Sequence, residues 1–321
     1  VIMYNSLSYK TKQFFWLIIK LSIVIGCAYF IYQKIFQNSQ LGFSDFYQNL
    51  NKNNVFSGKT IVFLFIFTLL NWFLEILKWH TLVNFVEKTS FTSASIQSLA
   101  SLTTSLITPN RIGEYGAKAL YFEKPLRKQI VGLNLVGNFY QMLMTLFFGI
   151  IGFTYFVFQH KVEIDFHRIM RFLLLTTFVV SAFFFGAKYF KYKGYTAEKA
   201  RKYIQKIPLS INVKVALISF LRFVVFSHQF YFLILIFDFN ISYINAIAAI
   251  TSVYFVASIV PMLSVFDVIL KGSVAIWIFS FLNIPSIEIL SITTIMWIFN
   301  FVLPAIIGSY YVLTFKPTFE K

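Results

Sequence analysis

Residues 107–118 read Ile-Thr-Pro-Asn-Arg-Ile-Gly-Glu-Tyr-Gly-Ala-Lys, a proline, three charges and two glycines inside an apolar chain. Pro109 removes a backbone donor, so a helix arriving from 91–107 turns there. The apolar segment after it, 112–122, is too short to cross a bilayer, which takes about 20 helical residues for about 30 Å of hydrocarbon. The expected structure is therefore a re-entrant helical hairpin whose turn, with Thr108, Pro109 and Gly113, ends at membrane depth. Irregular backbone is tolerated there only inside protein or along a wet cavity.

The rest of the chain fits that setting. Of 321 residues 58% are apolar, 42 are phenylalanine and 12% are charged, too much apolar surface for one soluble core. Apolar runs of spanning length predict helices at 14–37, 60–86, 129–158, 169–190, 213–237 and 286–315. A second broken stretch, 244–283, is interrupted at Pro261. The expected fold is all-α: a polytopic integral membrane protein of about six spanning helices plus two broken or re-entrant hairpins, or eight spans if the hairpins cross. The polar stretches are too short for a soluble core, so 1–321 is read as a single transmembrane domain.

The net charge of +16 follows the loops. Segment 188–214 carries eight lysines and arginines against Glu198, which marks it as cytoplasmic, and the N-terminus with Lys10 and Lys12 belongs on the same side. That distribution argues for membrane topology and anionic lipid rather than nucleic acid. Both termini are expected in the cytoplasm, with the chain in the plasma membrane. The lone Cys27 excludes an internal disulfide framework and a thiolate metal site. Lys20 interrupts the apolar run before Cys27, which disfavours a lipoprotein signal.

Sliding the sequence by 152 residues places Pro109 on Pro261, the helix at 14–37 on that at 169–190, and 60–86 on 213–237. This predicts two repeats, about 14–158 and 169–315, inverted if the basic loops face inward. Each broken stretch reads proline, short turn, acid, three residues, lysine: Glu114 with Lys118, and Asp267 with Lys271. Before the first turn, Ala94, Ser98, Ser101, Ser105 and Thr108 share one helical face that can pack closely or meet water.

Ionisable groups within membrane segments mark substrate and ion paths. Glu114 and Lys118 have the favourable spacing for an ion pair, which leaves Arg111 as a planar cation suited to a phosphate. Glu75, Lys78 and Arg222 also fall inside apolar runs; Lys78 and Arg222 are expected to snorkel to the cytoplasmic interface, whereas the shorter Glu75 is harder to extract. The histidines show no metal spacing and no serine sits in a nucleophile elbow, so no catalytic residue, metal or cofactor is expected. Ser57-Gly58-Lys59-Thr60 ends like a phosphate-binding loop, but Asn53 stands where its first glycine belongs.

The stretch SLITPNRIGEYGAKAL is similar to the transmembrane region of the lysylphosphatidylglycerol synthase and flippase family, whose mark is a Thr-Pro-x-x-x-Gly-Glu turn followed by a basic residue. Here these are Thr108, Pro109, Gly113, Glu114 and Lys118. The family's second turn is glycine-rich, and Pro261-Met262-Leu263-Ser264 departs from it. The resemblance implies a protein that moves phospholipids or polyprenyl-linked lipids between leaflets, without the soluble synthase part. On this reading Arg111 holds a headgroup phosphate with Lys118 or Lys271, and Glu114 and Asp267 position the cations or take up a proton or a headgroup amine. A membrane-embedded transferase acting on a lipid-linked substrate and a non-transporting scaffold are the alternatives. Membrane lipids are the expected partners.

Overall fold

The computed structural model describes residues 43–53, 55–106, 108, 112–162, 206–259 and 264–316, with isolated positions between 18 and 29. The helices expected at 14–37 and 169–190 lie outside the described residues, as do Pro109, Arg111 and Pro261. Backbone in hydrocarbon must satisfy its own donors and acceptors, and among the described residues every regular element is helical. Four helices are long and apolar enough to cross a membrane: α2 (Gly58–Val83), α5 (Arg127–His160), α6 (Leu209–Ile236) and α9 (Ser286–Thr314). Shorter ones are α1 (Phe43–Lys52), α3 (Phe91–Leu106), α4 (Ile112–Leu120), α7 (Tyr243–Ile259) and α8 (Ser264–Ser280).

Helix ends follow local chemistry. Ser57 caps α2, its Oγ accepting the Thr60 N–H at 3.3 Å, which gives the Ser-Gly-Lys-Thr stretch a capping role. Pro208 and Pro285 stand at the N-caps of α6 and α9. The helix expected over 286–315 is not uniform: Ile298–Val302 form a π-helical turn. Such a turn shifts the hydrogen-bond register, and the Trp72 indole N–H donates to the Asn300 carbonyl at 3.1 Å.

α3 and α4 pack against each other as a hairpin. Its turn is tied by side chains: the Gly113 N–H donates to Thr108 Oγ1 at 2.8 Å, and Thr104 Oγ1 donates to the Gly113 carbonyl at 3.2 Å. α7 and α8 form the second packed pair.

α2 and α6 lie side by side and antiparallel, because Gln229 meets Leu64 and Thr68 while the earlier Arg222 meets Asn71 and Glu75. Advancing by 152 residues carries α2, α3, α4 and α5 onto α6, α7, α8 and α9. The packing is closed under that exchange: α3 against α4 becomes α7 against α8, α4 against α5 becomes α8 against α9, and α3 against α9 becomes α7 against α5.

Small residues permit the closest of these contacts. A Cβ on Gly308 of α9 would run into the Leu99 carbonyl and Thr103 Oγ1 of α3, and one on Gly152 of α5 would run into Thr251 of α7. The serine face of α3 is packed rather than wet: Ala94, Ser98, Ser101 and Ser105 are all buried. Three apolar clusters result. The largest joins α6–α9 to the end of α5, a second gathers Trp79, Leu82, Phe122, Ile130 and Leu133, and a third surrounds Trp72 and Trp297.

Candidate functional site

Five charged side chains, Glu75, Lys78, Glu114, Lys118 and Arg222, are gathered among α2, α4, α5 and α6. Glu75 stands on α2, one turn before Lys78, whose Nζ donates to Glu75 Oε2 at 2.7 Å. Arg222, contributed by α6, brings Nη1 to the same Oε2, also at 2.7 Å. Its Nε donates to Asn71 Oδ1 at 2.9 Å and its Nη1 to Gln141 Oε1 at 3.3 Å, so two amides and a carboxylate fix the guanidinium plane.

The expectation that Lys78 and Arg222 snorkel is corrected here. Lys78 is 2% exposed and turned into its ion pair. Arg222 sits midway along α6, roughly 20 Å from either helix end at 1.5 Å per residue, farther than an arginine stem reaches. Glu75 lies within reach of both, and charge pairing inside the bundle replaces escape to the interface. The Arg222 side chain nevertheless keeps 21% of its surface open, against 3% for Lys78.

The second ion pair is the clasp legible in the sequence: Lys118 Nζ donates to Glu114 Oε1 at 2.9 Å and to Asn134 Oδ1 of α5 at 2.8 Å. Lys118 also stands 4.5 Å from the centroid of the Trp79 ring, and that indole donates to Gln97 Oε1 of α3 at 2.7 Å. With both residues buried and engaged, Glu114 and Lys118 join α4 to α5 and α2. Lys271 stands apart from these pairs, its Nζ 5.9 Å from the Phe301 ring. Asp267 belongs to α8, but its side chain lies outside the described residues, as does all of Arg111.

An amide relay extends the layer toward α9. Asn71 Nδ2 donates to Asn300 Oδ1 at 2.8 Å, Asn300 Nδ2 donates to Gln229 Oε1 at 2.9 Å, and Gln229 Nε2 donates to Thr68 Oγ1 at 3.1 Å and the Leu64 carbonyl at 3.3 Å. Asn71, Gln97, Asn134, Gln141, Gln229 and Asn300 are the residues that reading for charge alone passes over. The signal that finds them is an amide inside an apolar run, which faces a desolvation cost of the same kind.

Among the described residues of this layer, three cations (Lys78, Lys118, Arg222) stand with two carboxylates (Glu75, Glu114), an excess of one positive charge. Some buried polar atoms beside it have no hydrogen-bond partner, including Asn134 Nδ2 on α5 and Ser219 Oγ on α6, one turn before Arg222. The arrangement suits an anion with oxygen acceptors. Two of the histidines are engaged locally: His80 contacts the Thr89 carbonyl and Asn84, and His228 contacts the Val224 carbonyl and the Tyr243 hydroxyl. No family model, curated protein or solved structure matches the chain.

Proposed function

We propose that this chain is a lipid transporter that moves a phospholipid or a polyprenyl-linked lipid between the leaflets of a bacterial inner membrane. The observation that carries the reading is Arg222. It is a permanent cation at the midpoint of an apolar spanning helix, held flat by Asn71, Gln141 and Glu75, and still partly open. Charge at that depth is expensive and marks a path for a charged group. The excess positive charge around it selects an anion, and a lipid headgroup is the anion that reaches such a depth with its apolar tail still in hydrocarbon.

The antiparallel course of α2 and α6, and the exchange of packed pairs over 152 residues, support an inverted repeat with the two hairpins entering from opposite faces. In such a frame alternate opening toward each leaflet exposes one central site. Arg222 and Lys78 engage the phosphate, and the Glu114–Lys118 pair holds α4 against the spanning helices while they move. Arg111, which lies outside the described residues, keeps the part the sequence gives it, a further phosphate-binding cation in the turn of the first hairpin, and both termini are taken as cytoplasmic.

The test is purified protein in liposomes with a fluorescent phospholipid bleached selectively in the outer leaflet. Wild type is expected to move label between leaflets without nucleotide, and Arg222→Gln to stop it while the protein still elutes as a folded species. Product formation from a lipid donor, with no leaflet exchange, would instead identify the membrane-embedded transferase.

A further inference from the structure

In the structure one oxygen, Glu75 Oε2, is flanked by an ammonium and a guanidinium, each at 2.7 Å. That is the geometry two cations offer a phosphate oxygen. Here the oxygen belongs to the chain itself. Its tether is a short side chain on α2, whereas Arg222 is braced independently by Asn71 and Gln141 and stays in place if the carboxylate leaves.

The departing carboxylate also has somewhere to go. Lys118 reaches toward α2, its Nζ over the ring of Trp79, one turn beyond Glu75. Asn134 accepts from Lys118 through Oδ1, while its Nδ2, in a residue 3% exposed, has no partner. The stem of Lys78 lies against Gly137, one turn along α5 from Asn134. A buried donor beside a lysine, one helical turn from Glu75's own partner, can accept a displaced carboxylate without leaving it unsatisfied.

We propose that Glu75 is a tethered stand-in for the ligand's anionic group, and that a phosphodiester headgroup enters by taking its carboxylate's place between Lys78 and Arg222. The proposal rests on the lipid-transport reading for the source of the headgroup and adds the position, the competitor and the charge class. The class follows from the count: an excess of one positive charge among the described groups is neutralised by one monoanionic phosphodiester. An unliganded protein then keeps Lys78 and Arg222 paired with Glu75, and a loaded one pairs them with the phosphate, so neither state leaves these two cations bare in hydrocarbon.

Binding to the full-length chain in neutral detergent micelles tests this, read as the shift in melting temperature on titration. The probes are dihexanoyl phosphatidylglycerol, the uncharged dihexanoylglycerol, and inorganic phosphate. Removing an internal competitor is expected to tighten binding of the short-chain phosphatidylglycerol about tenfold in Glu75→Gln relative to wild type. Glu75→Asp, which keeps the charge but shortens the tether, is expected to move in the same direction and covers the case that the glutamine variant does not fold. Adding Arg222→Gln to either is expected to abolish the gain, and dihexanoylglycerol to shift nothing.

Equal affinity in wild type and the Glu75 variants overturns the proposal, as does a gain that survives loss of Arg222. A response to inorganic phosphate without one to the short-chain lipid overturns the headgroup assignment in favour of a free small anion. Because no leaflet exchange is measured, a chain that binds as described but does not flip lipid rejects the transport reading alone, and the converse result rejects only the role of Glu75.

Discussion

Asn71, Glu75 and Lys78 occupy on α2 the places that Phe223, Ser227 and Phe230 occupy on α6, 152 residues later. Where the first half, 58–160, turns a carboxylate and an ammonium inward, the second, 209–314, turns aromatic rings inward: Phe223 stacks on Phe148 with centroids 5.2 Å apart, Phe230 on Phe279 at 5.6 Å, and both flank Tyr254. Gln97 on α3 corresponds to Ala249 on α7, which is fully buried among apolar neighbours. The helices nevertheless pack in the same pattern in both halves. Helix geometry and small-residue contacts thus fix the arrangement, and the interior chemistry is free to diverge within it. Polar function is concentrated in the first half, while the second contributes Arg222, Gln229 and Asn300 to it from the α6 and α9 surfaces facing α2.

The comparison is most sharply tested at matched positions. Glu75→Ala leaves the buried Lys78 facing the partly open Arg222 with no carboxylate between them, and a loss of about 3–5 kcal/mol in unfolding free energy is expected. Equilibrium unfolding in mixed micelles measures it. A loss below about 1 kcal/mol would show that the charges are solvated and the polar half is not sealed.

The two clasp lysines separate next. Lys118→Met removes the buried ammonium that donates to the buried Glu114 carboxylate and is expected to cost about 3 kcal/mol. Lys271→Met, in the second half, removes a cation that is partly exposed and therefore screened by solvent, and is expected to cost less, about 0.5–1 kcal/mol. Comparable losses would mean that both hairpins depend on charge equally. The same unfolding measurement decides it.

Packing variants are expected to behave alike in the two halves, since the helix contacts are what they share. Gly308→Ala and Gly152→Ala each push a methyl into a facing helix, and overpacking of this kind costs about 1–3 kcal/mol. A tolerated substitution at one site and a severe one at the other breaks the equivalence of α3 against α9 with α7 against α5.

Smaller again is Asn300→Leu, which deprives Asn71 and Gln229 of their shared partner and is expected to cost about 1–2 kcal/mol, near the upper end for polar contacts between membrane helices. Least of all is Ser227→Ala, the counterpart of Glu75: its Oγ is buried without a partner, so a change within about 0.5 kcal/mol is expected. Thermal survival in detergent, followed by fluorescence-detected gel filtration, ranks these last variants.

Much of the architecture was legible before any coordinates. Runs of spanning length announced α2, α5, α6 and α9, because hydrocarbon thickness sets helix length directly. Pro109 and the charges behind it announced the break between α3 and α4. The Glu114–Lys118 pair was legible because four residues of helix bring both side chains to one face whatever surrounds them. Arg222 could not be placed in this way. Its partner Glu75 lies on another helix, and α2 and α6 are apolar on nearly every side, so no stripe in the sequence says how either is rotated about its axis. Rotation is decided by where lipid is absent. Once α2, α5, α6 and α9 enclose a common interior, the cost of leaving a guanidinium, a carboxylate or an amide in hydrocarbon turns each of them inward, and Asn71, Gln229 and Asn300 meet across helices far apart in the chain.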